Sequence, residues 1–189
     1  MSSKIGVQNI AHTNGTNAMT VASDGGVYVK DHVLQVKSTT VTAITAYTTN
    51  QAFTDIAGMS VSITPKSTNS NMLVSLNLCW GTDATAHVYG AGLVLRDSTI
   101  ITQGDALGTA NSLRASFTIQ EQAVDNYKTT YSTFQHLDED ISTTSEVTYK
   151  AQWAIYNSVK LWLNRPNNID NHPYSVSGTS SITVMEIGG

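Results

Sequence analysis

Charge is sparse in this chain. Asp, Glu, Lys and Arg make up 13% of its 189 residues, about half the share usual in a soluble globular chain. The Lys and Arg residues are scattered and the net charge is −4, so no basic stripe exists to track a phosphate backbone and no nucleic-acid partner is expected. Cysteine is nearly absent too. The single Cys79 excludes an intrachain disulfide framework. It alternates onto the polar side of its strand and reads as a small, semi-buried thiol. No run is long and apolar enough to span a membrane, and the opening MSSKIGVQNIAHTNG holds no apolar stretch of signal-peptide length. The expectation is a chain made in a cytoplasm, without membrane insertion. Apolar stripes at helical period are missing throughout, which argues against a helical fold.

Ser, Thr and Asn take the place of the missing charges, in runs such as TTVTAITAYTTNQ (39–51) and SGTSSIT (177–183). β-Branched hydroxyl residues fit the pleat of an exposed strand. The clearest pattern lies in residues 53–80. Met59, Val61 and Ile63 alternate with Ser60, Ser62 and Thr64; after ITPKSTNSN, Val74, Leu76, Leu78 and Trp80 alternate with Ser75, Asn77 and Cys79. A period of two marks a sheet with one buried face, and Pro65, which cannot donate to a ladder, ends the first strand. The stretch reads as a corner of a β-sandwich.

Further strands follow at intervals of roughly ten residues, separated by turn signals, as in sandwiches and jelly rolls. HVLQVKS opens the series, followed by the Thr-rich stretch with turns at Asn50 and Gly58. GTDATAH reads as a polar loop around Gly81 and Asp83. In VYGAGLVLRDSTII, Leu93 and Leu95 pair across an RDST turn with Ile100 or Ile101. LRASFTIQ and YKTTYSTFQHL come next. In VTYKAQWAIY, the residues Val147, Tyr149, Ala151, Trp153 and Ile155 share a face. A tight turn at Asn157–Ser158 leads to VKLWLN, and the final strand, YSVSGTSSITVMEI, is expected to lie centrally between neighbours. The fold class is all-β: an antiparallel β-sandwich or jelly roll over residues 32–189, with an extended N-terminal arm over residues 1–31.

That arm is polar and rich in Gly and Asn, with apolar touches at Ile5, Val7, Ile10, Met19, Val21, Val27 and Val29. Asp24–Gly26 is a hairpin signal, because glycine adopts positive φ cheaply. The segment cannot bury much alone. Docking on sister chains or a larger body is the expectation, with Ile5, Val7, Ile10, Met19 and Val21 as the attachment residues.

The stretches HVLQV (32–36), AFTDIAGMSVSITPKSTNSNMLVSLNL (52–78), LVLRDSTII (93–101), FQHLDEDISTTSEVTYKAQW (134–153), LWLNR (161–165) and SSITVMEI (180–187) together resemble a family of phage virion proteins abundant in marine and cyanobacterial phages. The leader NIAHTNGTNAMTVASDGGVYV (9–29) is similar to short N-terminal modules of phage fibre proteins. The match runs in order over residues 32–187 and departs from the family at Asp138–Asp140, where Asp-Ser-Pro is commoner. The resemblance implies a globular jelly-roll head, usually trimeric, on a short stem: a virion-surface protein of the capsid-decoration or fibre type. It also implies assembly in the host cytoplasm.

Candidate sites are few. Asp138, Glu139 and Asp140, with Glu146 nearby, could ligate Ca²⁺, but three adjacent carboxylates more often form a solvated turn, and no metal or other cofactor is expected. His12, His32, His87, His136 and His172 lack zinc-ligand spacing, with His136 on a sheet face beside Phe134. Gly90 and Gly92 sit in a strand pattern and read as close backbone packing or a bulge rather than a nucleotide loop. No GxSxG elbow is present. Trp162 is the exception. With Val159, Leu161 and Leu163 facing the core, it points outward, where a large aromatic serves as an interface anchor or a sugar platform. Trp162, Arg165, Asn167 and His172 are therefore expected at a subunit interface or a host-glycan contact, the former favoured. The loops 83–87, 103–111 and 165–172 supply exposed polar groups. The sequence-level reading is a non-enzymatic virion protein, a homotrimer docked on other virion proteins through residues 1–31; the alternative is a receptor-binding tip recognising host polysaccharide. A depolymerase is disfavoured, since no carboxylate pair stands out.

Overall fold

The computed structural model describes residues 6–15, 17–21, 25–29, 31–48, 52–108, 112–121, 125–139, 141–156, 159–171 and 173–189. Fourteen strands follow one another among them, with no helix. The first three are β1 (Asn9–Ala11), β2 (Asn17–Val21) and β3 (Val27–Tyr28). Then come β4 (Val33–Val41), β5 (Ala46–Tyr47), β6 (Thr54–Ile63), β7 (Asn71–Thr82), β8 (Val88–Arg96) and β9 (Thr99–Ile100). The remainder are β10 (Phe117–Glu121), β11 (Thr130–Asp138), β12 (Val147–Ile155), β13 (Leu161–Leu163) and β14 (Ser180–Ile187).

β1–β3 form a small sheet of their own. The rest build two facing sheets. One runs β10–β8–β12–β6, with β9 added to β8; the other runs β4–β14–β7–β13–β5, with β11 on the free edge of β7. β7 organises this second sheet. It pairs along one edge with β11 over Met72–Trp80, and along the other with β14 over Asn71–Asn77 and β13 over Trp80–Thr82. Successive long strands mostly alternate between the sheets, and every pairing is antiparallel. This is jelly-roll connectivity.

β6 and β7 lie in different sheets, so residues 64–70 turn the corner between them, as the period-two pattern and Pro65 implied. The inward residues of both strands, among them Met59, Ile63, Met72, Val74 and Leu78, are fully or almost fully buried. They meet Tyr149, Trp153, Leu161, Leu163, Ile182 and Val184 in one continuous core. Each such large side chain contributes about 1.5–3 kcal/mol by leaving water. β14 lies between β4 and β7, central as expected, and Leu95 opposes Ile100 across the RDST hairpin.

Several expectations fail locally. Gly58 is not a turn but a bulge inside β6: its φ is +78°, and the pairing with β12 slips between Lys150 and Gln152 there. Glycine supplies the positive φ that such a bulge requires. The HVLQVKS strand continues to Val41 and absorbs the start of the Thr-rich run. Gly81 and Thr82 belong to β7 rather than to a loop, and Thr82 and Ala84 are buried. The Asp83 carboxylate accepts the Lys160 N–H at 2.6 Å, leaving only residues 85–87 of that loop exposed. The strand expected from Leu113 begins at Phe117, with Leu113 exposed. Cys79 is fully buried, because the backbone at Gly178 lies across the outer side of β7 against its sulfur. Gly92, by contrast, is the close-packing residue its strand pattern indicated, since the Phe117 ring occupies the space its Cβ would take. The proposed turns at Asn50 and Asn157–Ser158 lie outside the described residues.

Candidate functional site

The N-terminal segment is more ordered than an extended arm. β1 and β2 pair with Ile10 opposite Met19, the Val21 N–H donates to Gln8 O at 2.8 Å, and β3 joins through Thr20–Tyr28 and Val21–Val27. Gly25 has φ +83°, so the hairpin signalled by Asp24–Gly26 forms, although Asp24 itself is outside the described residues. Three strands this short bury little. Val7, Ile10 and Val27 remain 44%, 51% and 50% exposed, while Met19 and Val21 are half-buried. Ile5 lies outside the described residues. The small sheet is tied to the sandwich where β3 leads into β4: Asp31 N–H donates to Gly188 O at 2.7 Å, and Gly188 N–H to His32 O at 2.9 Å. A cleft of about 490 Å³ remains between the two, lined by Met19, Thr20, Val29, Leu34 and Lys66.

Trp162 lies outward on β13, as alternation required, and is half-buried. It is not a bare platform. The Arg165 guanidinium carbon stands 3.7 Å from its ring centroid and Lys160 Nζ 5.1 Å. Arg165 is held there by donating Nε–H to Pro166 O at 3.0 Å and Nη2–H to Asn167 O at 2.9 Å. The indole N–H donates to Asn167 Oδ1 at 3.0 Å. Trp162, Arg165 and Asn167 are thus brought together; His172 lies outside the described residues. The contacts continue outward. Asn167 Nδ2–H reaches Asn168 Oδ1 at 3.3 Å, Asn168 N–H donates to Asn126 O at 2.9 Å, and Tyr127 OH donates to Asp170 Oδ2 at 2.7 Å. That carboxylate, by accepting this hydrogen bond, holds the Tyr127 hydroxyl above its ordinary range. Beside it Asp125, Tyr127, Lys128, Tyr174 and Val176 line an open cleft of about 480 Å³. The cue in the sequence would have been two tyrosines in otherwise small, polar loops.

The acidic stretch is not a solvated turn at its first residue. Asp138 is buried at the end of β11. Its Oδ2 accepts from Arg96 Nη1 of β8 at 2.7 Å and from Tyr149 OH of β12 at 2.8 Å. Burial, followed by the hydrogen bond to Asp138, raises the Tyr149 hydroxyl far above the usual tyrosine range. Burial is the largest single influence on Arg96 and lowers it, but the charges and hydrogen bonds of Asp138 and Tyr149 together outweigh it and the net shift is upward. One carboxylate therefore clamps two strands of the opposite sheet. Among the described residues no cluster of three His, Cys, Asp or Glu side chains could hold a metal; Asp140 lies outside them.

Two further buried polar groups stitch the sandwich. Glu186 faces inward on β14, accepting Lys66 N–H and Gln35 Nε2–H at 2.6 Å each, which fixes the β6–β7 corner. A charged residue at the inward phase of SSITVMEI was the available signal. Asn164, fully buried at φ +62°, donates to Val41 O at 2.8 Å and Ala43 O at 3.0 Å and accepts from Ser180 Oγ at 2.7 Å.

Fold and surfaces together define an antiparallel jelly roll that carries a small, incompletely buried sheet at its N-terminal side. No family model matches the chain, and no curated protein matches it. Among solved structures it resembles a chain of infectious bursal disease virus, Gt strain, at 10% identity and TM-score 0.39, covering 92% of this chain and 47% of that one. A chain of the Gx strain aligns at 11% identity and TM-score 0.35, covering 86% and 39%. This chain spans less than half the length of either. At such values the likeness assigns no role, and the fold rests on the strand topology itself.

Proposed function

We propose that the chain is a non-enzymatic phage virion structural protein. In this reading it is a trimeric surface protein, a capsid decoration or a short head or tail fibre, that docks on other virion proteins through residues 1–31. The observation that carries the proposal is the β1–β3 sheet, which leaves Val7, Ile10 and Val27 about half exposed although it is hydrogen-bonded to the sandwich at Gly188. A sheet that cannot complete its own core gains most from burial against another body. The clamps at Asp138, Glu186 and Asn164 suit a rigid head that presents its loops without moving. The low charge density and net charge of −4 support a protein partner over a nucleic acid. Phage assembled with Val7→Asp and Ile10→Asp together should lack the protein, while the soluble variant keeps its melting temperature; normal incorporation would overturn the anchor assignment.

A second reading is favoured by the cleft at Tyr127 and Tyr174. Two tyrosines lining a cleft beside carboxylate and amide groups suit the apolar faces and hydroxyls of a sugar. In this reading the head is a receptor-binding tip for host surface polysaccharide. Purified protein should bind host polysaccharide and lose it on Tyr174→Ala; absence of binding to host envelope polysaccharides would leave the purely structural role.

A further inference from the structure

Strand register assigns each side chain of the larger sheet to a face, and on the outer face the side chains line up in rows. Val36 stands opposite Met185, Met185 opposite Leu73, and Leu73 opposite Leu137. This row is apolar across β4, β14, β7 and β11, from one edge of the sheet to the other. The next row is Ser38, Thr183, Ser75 and Gln135; the third is Thr40, Ser181, Asn77 and Thr133. No charged side chain occurs in any of the three. On the other sheet's outer face, by contrast, Lys150 pairs with Asp55 at 2.9 Å. Beyond the third row, at Cys79, the chain covers the face with its own backbone at Gly178. The apolar end stays open, with Val36 51% and Leu137 36% exposed.

Covering this face would cost little. Ser38 Oγ and Thr183 Oγ1 already share a hydrogen bond at 2.7 Å, and Gln135 Nε2–H donates to Ser75 Oγ at 3.2 Å, so these groups are not stranded when water leaves. Depletion of charge is the compositional mark of an interface core. The charge pattern also favours a second copy as the occupant. Copies carrying −4 each repel wherever their charges meet, and a neutral face is complementary to itself while offering nothing to a charged partner. A closed ring needs two different patches on each copy, and a row running from edge to edge provides them, Val36 at one end and Leu137 at the other.

We infer that this face is where copies of the chain meet, the Val36 end of one packing on the Leu137 end of the next around a three-fold axis. The inference rests on the trimer reading and specifies its surface. Light scattering after size exclusion at micromolar concentration tests both. The full chain should run at three times its mass. Val36→Arg and Leu137→Arg, both at exposed positions, should weaken association roughly a hundredfold or more through a buried, unpaired charge and run as monomers with unchanged circular dichroism. Thr118→Arg, on the other sheet, should remain trimeric. If the full chain is trimeric and both face variants stay trimeric, the face is wrong and the trimer stands. If the full chain is monomeric at these concentrations, the trimer reading falls, and this surface with it.

Discussion

Replacing Asn164 by Ala tests the packing account most sharply at a single residue. Asn164 is fully buried and its side chain makes three hydrogen bonds, to Val41 O, Ala43 O and Ser180 Oγ. Ser180 Oγ in turn accepts the Cys79 N–H at 2.9 Å. One amide thereby joins the end of β4, the start of β14 and the middle of β7. Truncation removes about 1 kcal/mol for each of the three hydrogen bonds. Moving from Asn to Ala at φ +62° adds about 1 kcal/mol, because Ala tolerates the left-handed region poorly. The sum is about 4 kcal/mol, a large share of the roughly 5–15 kcal/mol that holds a domain together. In a chain of this length that corresponds to a fall of about 8–16 °C in melting temperature. Calorimetry at equal protein concentration reads it, since any oligomer makes Tm concentration-dependent. Asn164→Gly, free of the backbone penalty, should lose about 1 kcal/mol less than the Ala variant. A shift below about 3 °C for Asn164→Ala would refute the claim that this amide stitches the three strands.

Other outcomes follow from the same reasoning. Tyr149 has a folded-state pKa above its unfolded value, so its contribution is complete below about pH 10 and declines as pH rises beyond that. Denaturant titrations should show stability falling above pH 10, with a flatter profile and a loss of about 1–2 kcal/mol at neutral pH in Tyr149→Phe, which leaves Asp138 short of a donor; an unchanged slope would contradict the clamp. Gly92→Ala should lower stability by about 1–3 kcal/mol by overpacking against Phe117, measurable in urea. Trp80 and Trp153 are buried, so iodide should quench only Trp162 fluorescence, and Trp162→Phe should abolish quenching; quenching that persists would misplace the indole.

Much of the fold was legible because strand period is a local property. The inward phases of β6, β7, β12 and β14 could be read from Met59, Val61, Leu76, Trp153 and Ile182 without knowing their neighbours. What stayed hidden depends on pairing across the chain. Gly58 looked like a turn because glycine favours bulges and turns for the same reason, and only the slipped register with β12 distinguishes them. Asp138 looked solvated because its acidic neighbours are adjacent in sequence, whereas Arg96 and Tyr149 come from the other sheet. Trp162 was correctly placed outward, but the cap over its ring comes from Arg165, only three residues on, through a loop conformation that periodicity does not encode. The apolar row on the outer sheet face could not be seen at all. Val36, Leu73, Leu137 and Met185 are far apart in sequence, and each alone is an ordinary exposed hydrophobe.

The most direct test of the proposal that this is a surface-docked phage virion protein is a reconstruction of the phage particle by cryo-electron microscopy. The account predicts a three-fold knob outside the shell or tail, with the β1–β3 sheets at its base against another virion protein and the Tyr127–Tyr174 loops facing solvent. A purified particle without density for this jelly roll would contradict it.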